Sequence, residues 1–222
     1  MKSDKVVYIK QIEEVEKGKK RICFETGISC VLYRSEIKSC DLLEGVLSVG
    51  SQEDFVISQE LYEHILYEIV AKRAKKRVLY LLEKIDRTEH QIREKLKANE
   101  YPECCIDIAV EYAKSFHYID DYRYASTFVR YHMQKYSRMQ IKQKLLAKGI
   151  ARDTIEQAIE CEYISEEREQ IQAILQKKKF QFTSSNTPEF RKMYQFLLRR
   201  GFSSSDILAE LKRCCACQTF NF

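Results

Sequence analysis

The chain has 222 residues, 45% of them hydrophobic and 32% charged, and it carries a formal net charge of +5 at pH 7. Its 2 prolines and 6 glycines are too few for a fold rich in loops and hairpins, and they favour long uninterrupted helices. The length allows one large domain, or one small domain followed by an array of repeats.

The 9 cysteines do not indicate a secreted protein. No N-terminal segment has the form of a signal peptide, and no apolar run approaches the roughly 18 residues of a membrane span. We therefore expect a cytoplasmic protein with reduced thiols and no membrane association. Cys214 and Cys217 have C-x-x-C spacing but no second pair, so we expect no metal and no cofactor in the cysteine-containing tail, 214–222.

The first 57 residues predict a small β-rich extension. Short runs of β-branched and aromatic residues predict strands at Val6–Ile9, Arg21–Phe24 and Ile28–Tyr33, joined by turns that contain Gly18 and Gly27. A meander of three strands is therefore expected at the N-terminus of the chain.

Helices are predicted from there onward. A short helix is expected over Ser35–Leu43, and residues 58–71 form a connecting helix with Ser58 as its N-cap. The helical pattern continues past residue 80, which is long for one globular helix, so we expect a bend near Ala71–Ala74.

An internal repeat follows. Ile141–Ile150 aligns with Met193–Phe202 at a shift of 52 residues, and the apolar residues that begin at Ile92 align with those that begin at Ile141 at a shift of 49. Each copy contains a helix, a residue that ends this helix (the stop), an apolar residue that packs into the core directly after it (the anchor), and another helix. With the preceding helix of each copy, the repeats form three-helix units at 72–112, 120–162 and 166–213.

Helix-boundary residues support these units. Gly149 and Gly201 lie where a helix end needs a left-handed residue, and Asn99 is the expected substitute in the first unit. Thr88 and Ser137 are expected N-caps, and Pro188 is expected to open the matching helix of the third unit. One such unit has little apolar surface of its own, so we predict a mainly α, elongated fold of three tandem three-helix repeats.

Charge is distributed in blocks along the repeats. Residues 121–150 carry a net charge of +6, residues 151–175 carry −5, and residues 176–213 return to +6. Two positive patches of this kind attract phosphate groups or an acidic protein face.

The middle unit contains two like-charge pairs at i,i+4 spacing, Arg138/Lys142 and Lys144/Lys148, which weaken an isolated helix and favour a contact surface over a solvated face. Tyrosines interleave with these bases, and at least half of them are expected to be packing residues. The candidate partner- or DNA-binding residues are Arg123, Arg130, Lys135, Arg138, Lys142, Lys144, Lys148, Lys177, Lys178, Lys179, Arg199 and Arg200.

Other residues of the middle unit have structural interpretations. Asp120 and Asp121 immediately precede a predicted helix, where capping is favoured over metal binding. Phe128 is expected in the core. Arg123 and Arg130 share a helix face and either pair with acids such as Asp121 or reach a partner; both possibilities remain open.

No catalytic motif is present in the sequence. The four histidines are scattered, and neither a glycine-rich phosphate loop nor a nucleophile motif occurs. We therefore expect a protein without enzymatic activity.

Residues 119–150 combine Ile119-Asp-Asp-Tyr-Arg-Tyr-Ala-Ser-Thr-Phe-Val-Arg130 with Ser137-Arg-Met-Gln-Ile141, Leu145 and Lys148-Gly-Ile150. This pattern resembles the RecX family of RecA regulators. The resemblance implies tandem three-helix repeats that bind in the groove of a RecA–DNA filament and inhibit filament growth, ATPase and strand exchange. It also implies a role in DNA repair, homologous recombination and the SOS response, with auxiliary contacts to single- or double-stranded DNA, and we expect a monomer.

The chain departs from the family pattern at a few positions. It has Tyr136-Ser137 where the family often has Gly-Pro, Gln140 in place of an arginine, and Lys144 in place of an acid. These departures put individual contacts in doubt more than the resemblance itself.

A different function remains open on the residues alone. The helices of Ser137–Ile159 could act as a helix-turn-helix in a DNA groove, which would make the chain a direct nucleic-acid-binding module. A filament modulator acts on a recombinase filament at low ratio, whereas a DNA binder acts on bare DNA with steep salt dependence.

Overall fold

The computed structural model describes residues 5–38, 55–164, 166–180 and 188–216, excluding the side chains of residues 215 and 216. The chain divides into two compact parts, Met1–Asp120 and Asp121–Phe222, and the word unit is kept for the three-helix repeats. In the described residues, the first part contains the N-terminal sheet, five α-helices and a π-helical segment, and the second part contains six further α-helices. The predicted class, tandem three-helix repeats after a small antiparallel sheet, is confirmed.

The N-terminal sheet has four strands in the order β3-β2-β1-β4. The elements are β1 Val6–Glu16, β2 Lys19–Phe24, β3 Ser29–Tyr33, helix α1 Arg34–Lys38, and β4 Phe55–Ser58. Gly18 and Gly27 have positive φ values of 84° and 80°, as the two predicted hairpin turns require.

Two details of the N-terminal prediction differ from the structure. The fourth strand was not predicted, because it has only four residues and its partner in the sheet, Val6–Ile9, lies far earlier in the chain. The predicted helix over Ser35–Leu43 begins one residue earlier, at Arg34, and its part beyond Lys38 lies outside the described residues.

The helical region begins at Ser58, whose Oγ accepts a hydrogen bond from Leu61 N at 3.2 Å, as expected of an N-cap. Helix α2 Gln59–Glu63 continues through the π-helical segment His64–Val70 into α3 Ala71–Lys84. The bend expected at Ala71–Ala74 is wrong in position. Those residues are regular α-helix, and the irregularity is the wide π-turn segment that precedes them.

The three-helix units share one arrangement. Their helices, three to a unit, are α3, α4 Glu89–Lys97 and α5 Glu103–Ser115; α6 Asp121–His132, α7 Arg138–Leu146 and α8 Arg152–Glu162; and α9 Glu167–Lys177, α10 Pro188–Arg199 and α11 Ser204–Ala216. Thr88 forms a capping box with Gln91, and Ser137 accepts a hydrogen bond from Gln140 N, so both predicted N-caps are confirmed.

The second helix of each unit ends at a residue with left-handed backbone. Gly149 and Gly201 have φ values of 80° and 81°. In the first unit the left-handed residue is Glu100, with φ 59°, and the expectation of Asn99 is wrong. Asn99 instead donates from its amide to Lys95 O at 2.6 Å. Glu100 is the residue that aligns with Gly149 at the shift of 49.

Each unit has its own apolar core. In the second unit, Ile141 and Leu145 are fully buried beside Ala125 and Val129. Phe128, predicted as a core residue, is only partly buried and packs at the edge of this cluster. One side of its ring packs against the core, and Lys148 lies over the ring at 5.9 Å from its centroid. The third unit has a separate cluster around Leu197 and Ile207.

Arg73 joins the sheet to the first three-helix unit. Its guanidinium forms an ion pair with Glu36 at 2.5 Å, donates to Val31 O at 2.7 Å, and lies over the ring of Tyr33 at 4.6 Å. Both partners of the ion pair are about one fifth exposed, so water screens it less than a surface pair. The sheet and α3 are thus held together by polar as well as apolar contacts.

No helix in the described part of the chain is both long enough and apolar enough to cross a membrane.

We predict that Gly201→Ala is more destabilising than Gly27→Ala. Both glycines have φ near +80°, so alanine costs on the order of 1–2 kcal/mol at either site. At Gly201 the added Cβ would also lie 2.5 Å from Met139 Cβ, a contact on another helix, whereas at Gly27 nothing lies within 4 Å. Overpacking of this kind adds about 1–3 kcal/mol. Chemical denaturation of the two variants measures the difference, and equal losses would show that α7 moves aside at little cost.

Candidate partner-binding surface

A row of aromatic side chains lies along the middle unit. Tyr124, Phe128 and His132 are spaced four residues apart on α6, so they share one helix face, and Tyr136 follows in the next turn. The rings of Phe128 and His132 have centroids 4.3 Å apart, and those of His132 and Tyr136 are 5.4 Å apart. All four side chains are partly buried, which leaves their outer edges at the surface.

Three lysines cover this row. Lys148 Nζ lies 5.5 Å from the ring centroid of Tyr124 and 5.9 Å from that of Phe128, while Lys144 and Lys135 lie 4.6 and 5.3 Å from that of Tyr136. We name these seven residues the lysine–aromatic strip: Tyr124, Phe128, His132, Lys135, Tyr136, Lys144 and Lys148. Cation–π attraction holds the ammonium groups in place without neutralising them.

The strip keeps its positive charge. Neither Lys135 nor Lys144 forms an ion pair with any residue that the structure describes. The pKa of His132 is lowered first by burial and then by Lys135, Lys144 and Lys148. Three ammonium groups therefore lie close enough to the ring to disfavour its protonation. Such a surface suits phosphate oxygens or carboxylates.

Other candidate residues of the middle unit are used inside the unit. Arg130 pairs with Glu162 at 3.6 Å, and Lys142 forms an ion pair with Glu156. Both acids belong to α8, so these contacts link α6 and α7 to that helix. Of the two possibilities for Arg130, pairing with an acid is the one observed, although the acid is Glu162 and not Asp121.

Arg138 contacts the end of the same helix. Its guanidinium lies 4.7 Å from the ring centroid of Tyr163 and donates to Tyr163 O at 3.4 Å. Arg123 is exposed on α6. The two like-charge pairs of α7 thus differ in one respect: Lys142 of the first pair is paired with an acid, whereas Lys144 and Lys148 of the second lie over aromatic rings.

In the third unit, candidate residues converge on Phe196. Lys178 Nζ and the Arg200 guanidinium each lie 4.6 Å from its ring centroid. Lys177, Lys179 and Arg199 are exposed near the ends of α9 and α10, and no described contact joins them to this cluster. The shift of 52 places Phe196 at the position of Lys144 and Arg200 at that of Lys148. Lys148 and Arg200 therefore occupy the same position of the repeat, and each lies over an aromatic ring of its own unit.

Two of the cysteines, Cys30 and Cys105, are buried in the first compact part of the chain. Burial raises the pKa of the Cys30 thiol to about 12, and it also raises that of Cys105, whose Sγ donates to Leu66 O at 3.3 Å. Such thiols are poor nucleophiles. Asp121 begins α6, and no set of three or more His, Cys, Asp or Glu side chains in these residues is arranged to hold a metal.

Sequence reasoning missed Phe128 and His132 as parts of the surface. The signal was available: aromatic side chains at residues 124, 128 and 132 repeat with the spacing of one helix face. Because Phe128 also follows Ala125 at core spacing, it was assigned to the interior.

Three protein-family models match the helical units in order: "RecX, first three-helix domain" at residues 74–112, "RecX, second three-helix domain" at residues 120–159, and "RecX, third three-helix domain" at residues 166–209. Together they cover more than half of the sequence. The chain belongs to the RecX family.

Curated relatives agree with this assignment. Regulatory protein RecX of Caldanaerobacter subterraneus subsp. tengcongensis is 35% identical over 76% of this chain and 84% of its own length. Regulatory protein RecX of Clostridium acetobutylicum is 30% identical over 73% of this chain and 78% of its own.

Two solved RecX structures have the same fold. A crystal structure of regulatory protein RecX covers 93% of this chain and 99% of its own with a TM-score of 0.59 at 23% identity. The structure of RecX from Lactobacillus salivarius covers 65% of this chain and 96% of its own, with a TM-score of 0.54 at 21% identity.

The environment of His132 predicts a pH dependence of stability. Because its pKa in the folded protein lies below the usual value of about 6.5, the unfolded chain binds the proton more readily. The free energy of unfolding should therefore fall as the pH decreases from about 7.5 through 6.5. His132→Phe keeps a ring in the row and should flatten this decrease, as measured by denaturation at several pH values. His90→Phe, at an exposed site of α4, is the control, and a His132→Phe profile identical to that of the parent would contradict the prediction.

Proposed function

We propose that this RecX-family protein is a non-enzymatic negative regulator of a RecA-type recombinase. It binds the recombinase–DNA filament and inhibits filament growth, ATPase and strand exchange in DNA repair, homologous recombination and the SOS response. We further propose that it acts in the cytoplasm as a monomer. The observation that carries the proposal is the lysine–aromatic strip, which lies on the second three-helix domain of the family. There Lys135 and Lys144, which form no ion pair in the described residues, lie over the ring of Tyr136.

The chemistry of the strip fits a filament of recombinase on DNA. Such an assembly offers DNA phosphates and the carboxylates of the protein subunits, and both are attracted to fixed ammonium groups. Because the lysines already lie against aromatic rings, they lose less side-chain freedom on binding than free lysines would. The match to relatives called regulatory protein RecX supports the same role.

Charge on α8 disfavours the alternative function, in which α7 and α8 enter a DNA groove as a helix-turn-helix. The second helix of such a pair meets the DNA. Here α8 carries Arg152 against four acids, and it would bring negative charge to the phosphates. The four acids are Asp153, Glu156, Glu160 and Glu162.

The strip can be tested by charge reversal. Lys135→Glu with Lys144→Glu changes two exposed side chains, so the fold should be retained. The inhibition of a RecA-type ATPase on single-stranded DNA should weaken by at least about tenfold, since reversed charges across an interface cost on the order of 1.4 kcal/mol or more. The assay titrates the protein at low ratio to the recombinase.

A control with the same change in charge is Lys95→Glu with Lys17→Glu. Lys95 occupies the position of Lys144 in the first unit, and Lys17 lies in the β1–β2 turn. This variant should inhibit as well as the parent. If the strip variant melts normally and also inhibits fully, the middle unit is not the contact surface. If the parent does not inhibit the recombinase at all, the proposed function fails.

A further inference from the structure

The first unit contains a second basic and aromatic surface, which is formed by residues outside the candidate set. Tyr112 near the end of α5 contacts Phe116, with ring centroids 5.0 Å apart, and Phe116 contacts Tyr118 at 5.9 Å with an interplanar angle of 21°. Phe116 is 56% exposed and Tyr118 is 49% exposed. We name these three rings the aromatic platform. Large apolar side chains grouped at the surface mark an interaction site more often than isolated ones do.

The backbone holds the platform in place. His117, between the two exposed rings, has a left-handed backbone with φ 56°, which is uncommon for a residue other than glycine. His117 N donates to Lys114 O and Tyr118 N donates to Ala113 O, both at 2.9 Å, so α5 ends in a tight turn. Ile119 is buried in the core directly after this turn. A strained turn between buried anchors fixes Phe116 and Tyr118 side by side.

Helix α3 supplies positive charge beside the platform. Lys75 Nζ lies 5.0 Å from the ring centroid of Tyr112. Lys75 and Lys76 follow Lys72 by three and four residues, about one helical turn, so the three lysines are neighbours on one side of α3. None of the three forms an ion pair within the described part of the chain, and α3 has no acid before Glu83. Glu111, the residue before Tyr112, is paired with Lys114 at 3.2 Å.

We infer that the aromatic platform and the α3 lysines form a binding site for single-stranded nucleic acid. The lysines contact the phosphates, and the exposed faces of Phe116 and Tyr118 stack on unpaired bases. A duplex fits poorly, because its bases are already stacked on one another and offer no free face. An apolar protein partner would not need the row of uncompensated lysines. Rings and lysines in contact are the combination that sequence-tolerant single-strand binding uses.

This inference rests on the proposed function and deepens it. It assigns the DNA contacts that the family resemblance implies to a site in the first three-helix unit, outside the candidate residues, and its binding test needs no recombinase. It differs from the lysine–aromatic strip in one physical respect. In the strip, lysines lie over the rings of Tyr124, Phe128 and Tyr136 and cover part of each ring. On the platform, Phe116 and Tyr118 have no cation over them in the described residues, so their faces are available for stacking.

The test is a fluorescence anisotropy titration of the full chain with a labelled oligothymidylate and with a duplex of equal length, over a series of salt concentrations. The parent should bind the single strand more tightly than the duplex. Phe116→Leu with Tyr118→Leu keeps apolar bulk but removes the π faces, and it should weaken single-strand binding by at least about fivefold without changing the salt dependence. Replacing Lys72, Lys75 and Lys76 by Gln should weaken binding and also reduce the salt slope by about 2.

Tyr131→Leu is the matched control, because Tyr131 is an 81% exposed aromatic residue in the second unit. It should bind like the parent. The inference is overturned if the platform variant binds the single strand like the parent, if Tyr131→Leu loses as much affinity, or if the duplex binds as tightly as the single strand. A platform variant that loses single-strand binding yet still inhibits the recombinase ATPase would support this site. It would also show that DNA binding by the platform and inhibition through the strip can be tested separately.

Discussion

Each three-helix unit depends on the way its second helix ends. The residue at the stop adopts a left-handed backbone, which turns the chain so that the next side chain enters the core. The backbone N–H of that anchor then donates to the carbonyl of a buried leucine five residues earlier: Tyr101 to Leu96 at 3.2 Å, Ile150 to Leu145 at 3.3 Å, and Phe202 to Leu197 at 3.4 Å. One hydrogen bond and one buried anchor therefore set the direction of the third helix, and this closure is repeated in every unit.

Several basic residues of the three-helix units are paired with acids, unlike Lys135 and Lys144 in the described residues. Arg130 and Lys142 meet acids of α8, and Arg93 meets Glu89 and Asp107. Exposed pairs of this kind contribute little to stability, with a median of about 0–1 kcal/mol. Their larger effect is to remove net charge from those faces. The lysines that form no ion pair in the described residues remain as positive groups that attract anionic partners.

The helical repeats could be predicted from the sequence, since apolar spacing and the glycine stops are local signals. Gly149 and Gly201 marked two of the three stops correctly. Glu100 could not be identified, because a left-handed residue other than glycine has no distinctive sequence pattern and Asn99 beside it was the better statistical choice. The strand Phe55–Ser58 was missed because pairing with Val6–Ile9 is a long-range event that no short window contains.

The surfaces were less predictable than the fold for the same reason. Two basic pairs on α7 had the same sequence pattern, and only the three-dimensional structure shows that Lys142 meets an acid whereas Lys144 and Lys148 meet aromatic rings. In the first unit, the basic run of α3 was visible, but its aromatic partners Tyr112 and Phe116 lie on another helix much later in the chain. Charge can be counted along a sequence, whereas compensation of that charge depends on which helices meet.

Left-handed residues other than glycine show where the fold accepts strain. Glu100, His117 and Lys179 are the residues of this kind in the described ranges, and each costs on the order of 1 kcal/mol relative to an ordinary conformation. Glycine would remove most of that cost, but it would also remove the side chain. At Glu100 the side chain pairs with Arg21 of the sheet at 2.5 Å, which ties β2 to the first three-helix unit. Glycine at that stop could not make this contact, so the first unit differs from the other two in using the residue at the stop to reach the sheet.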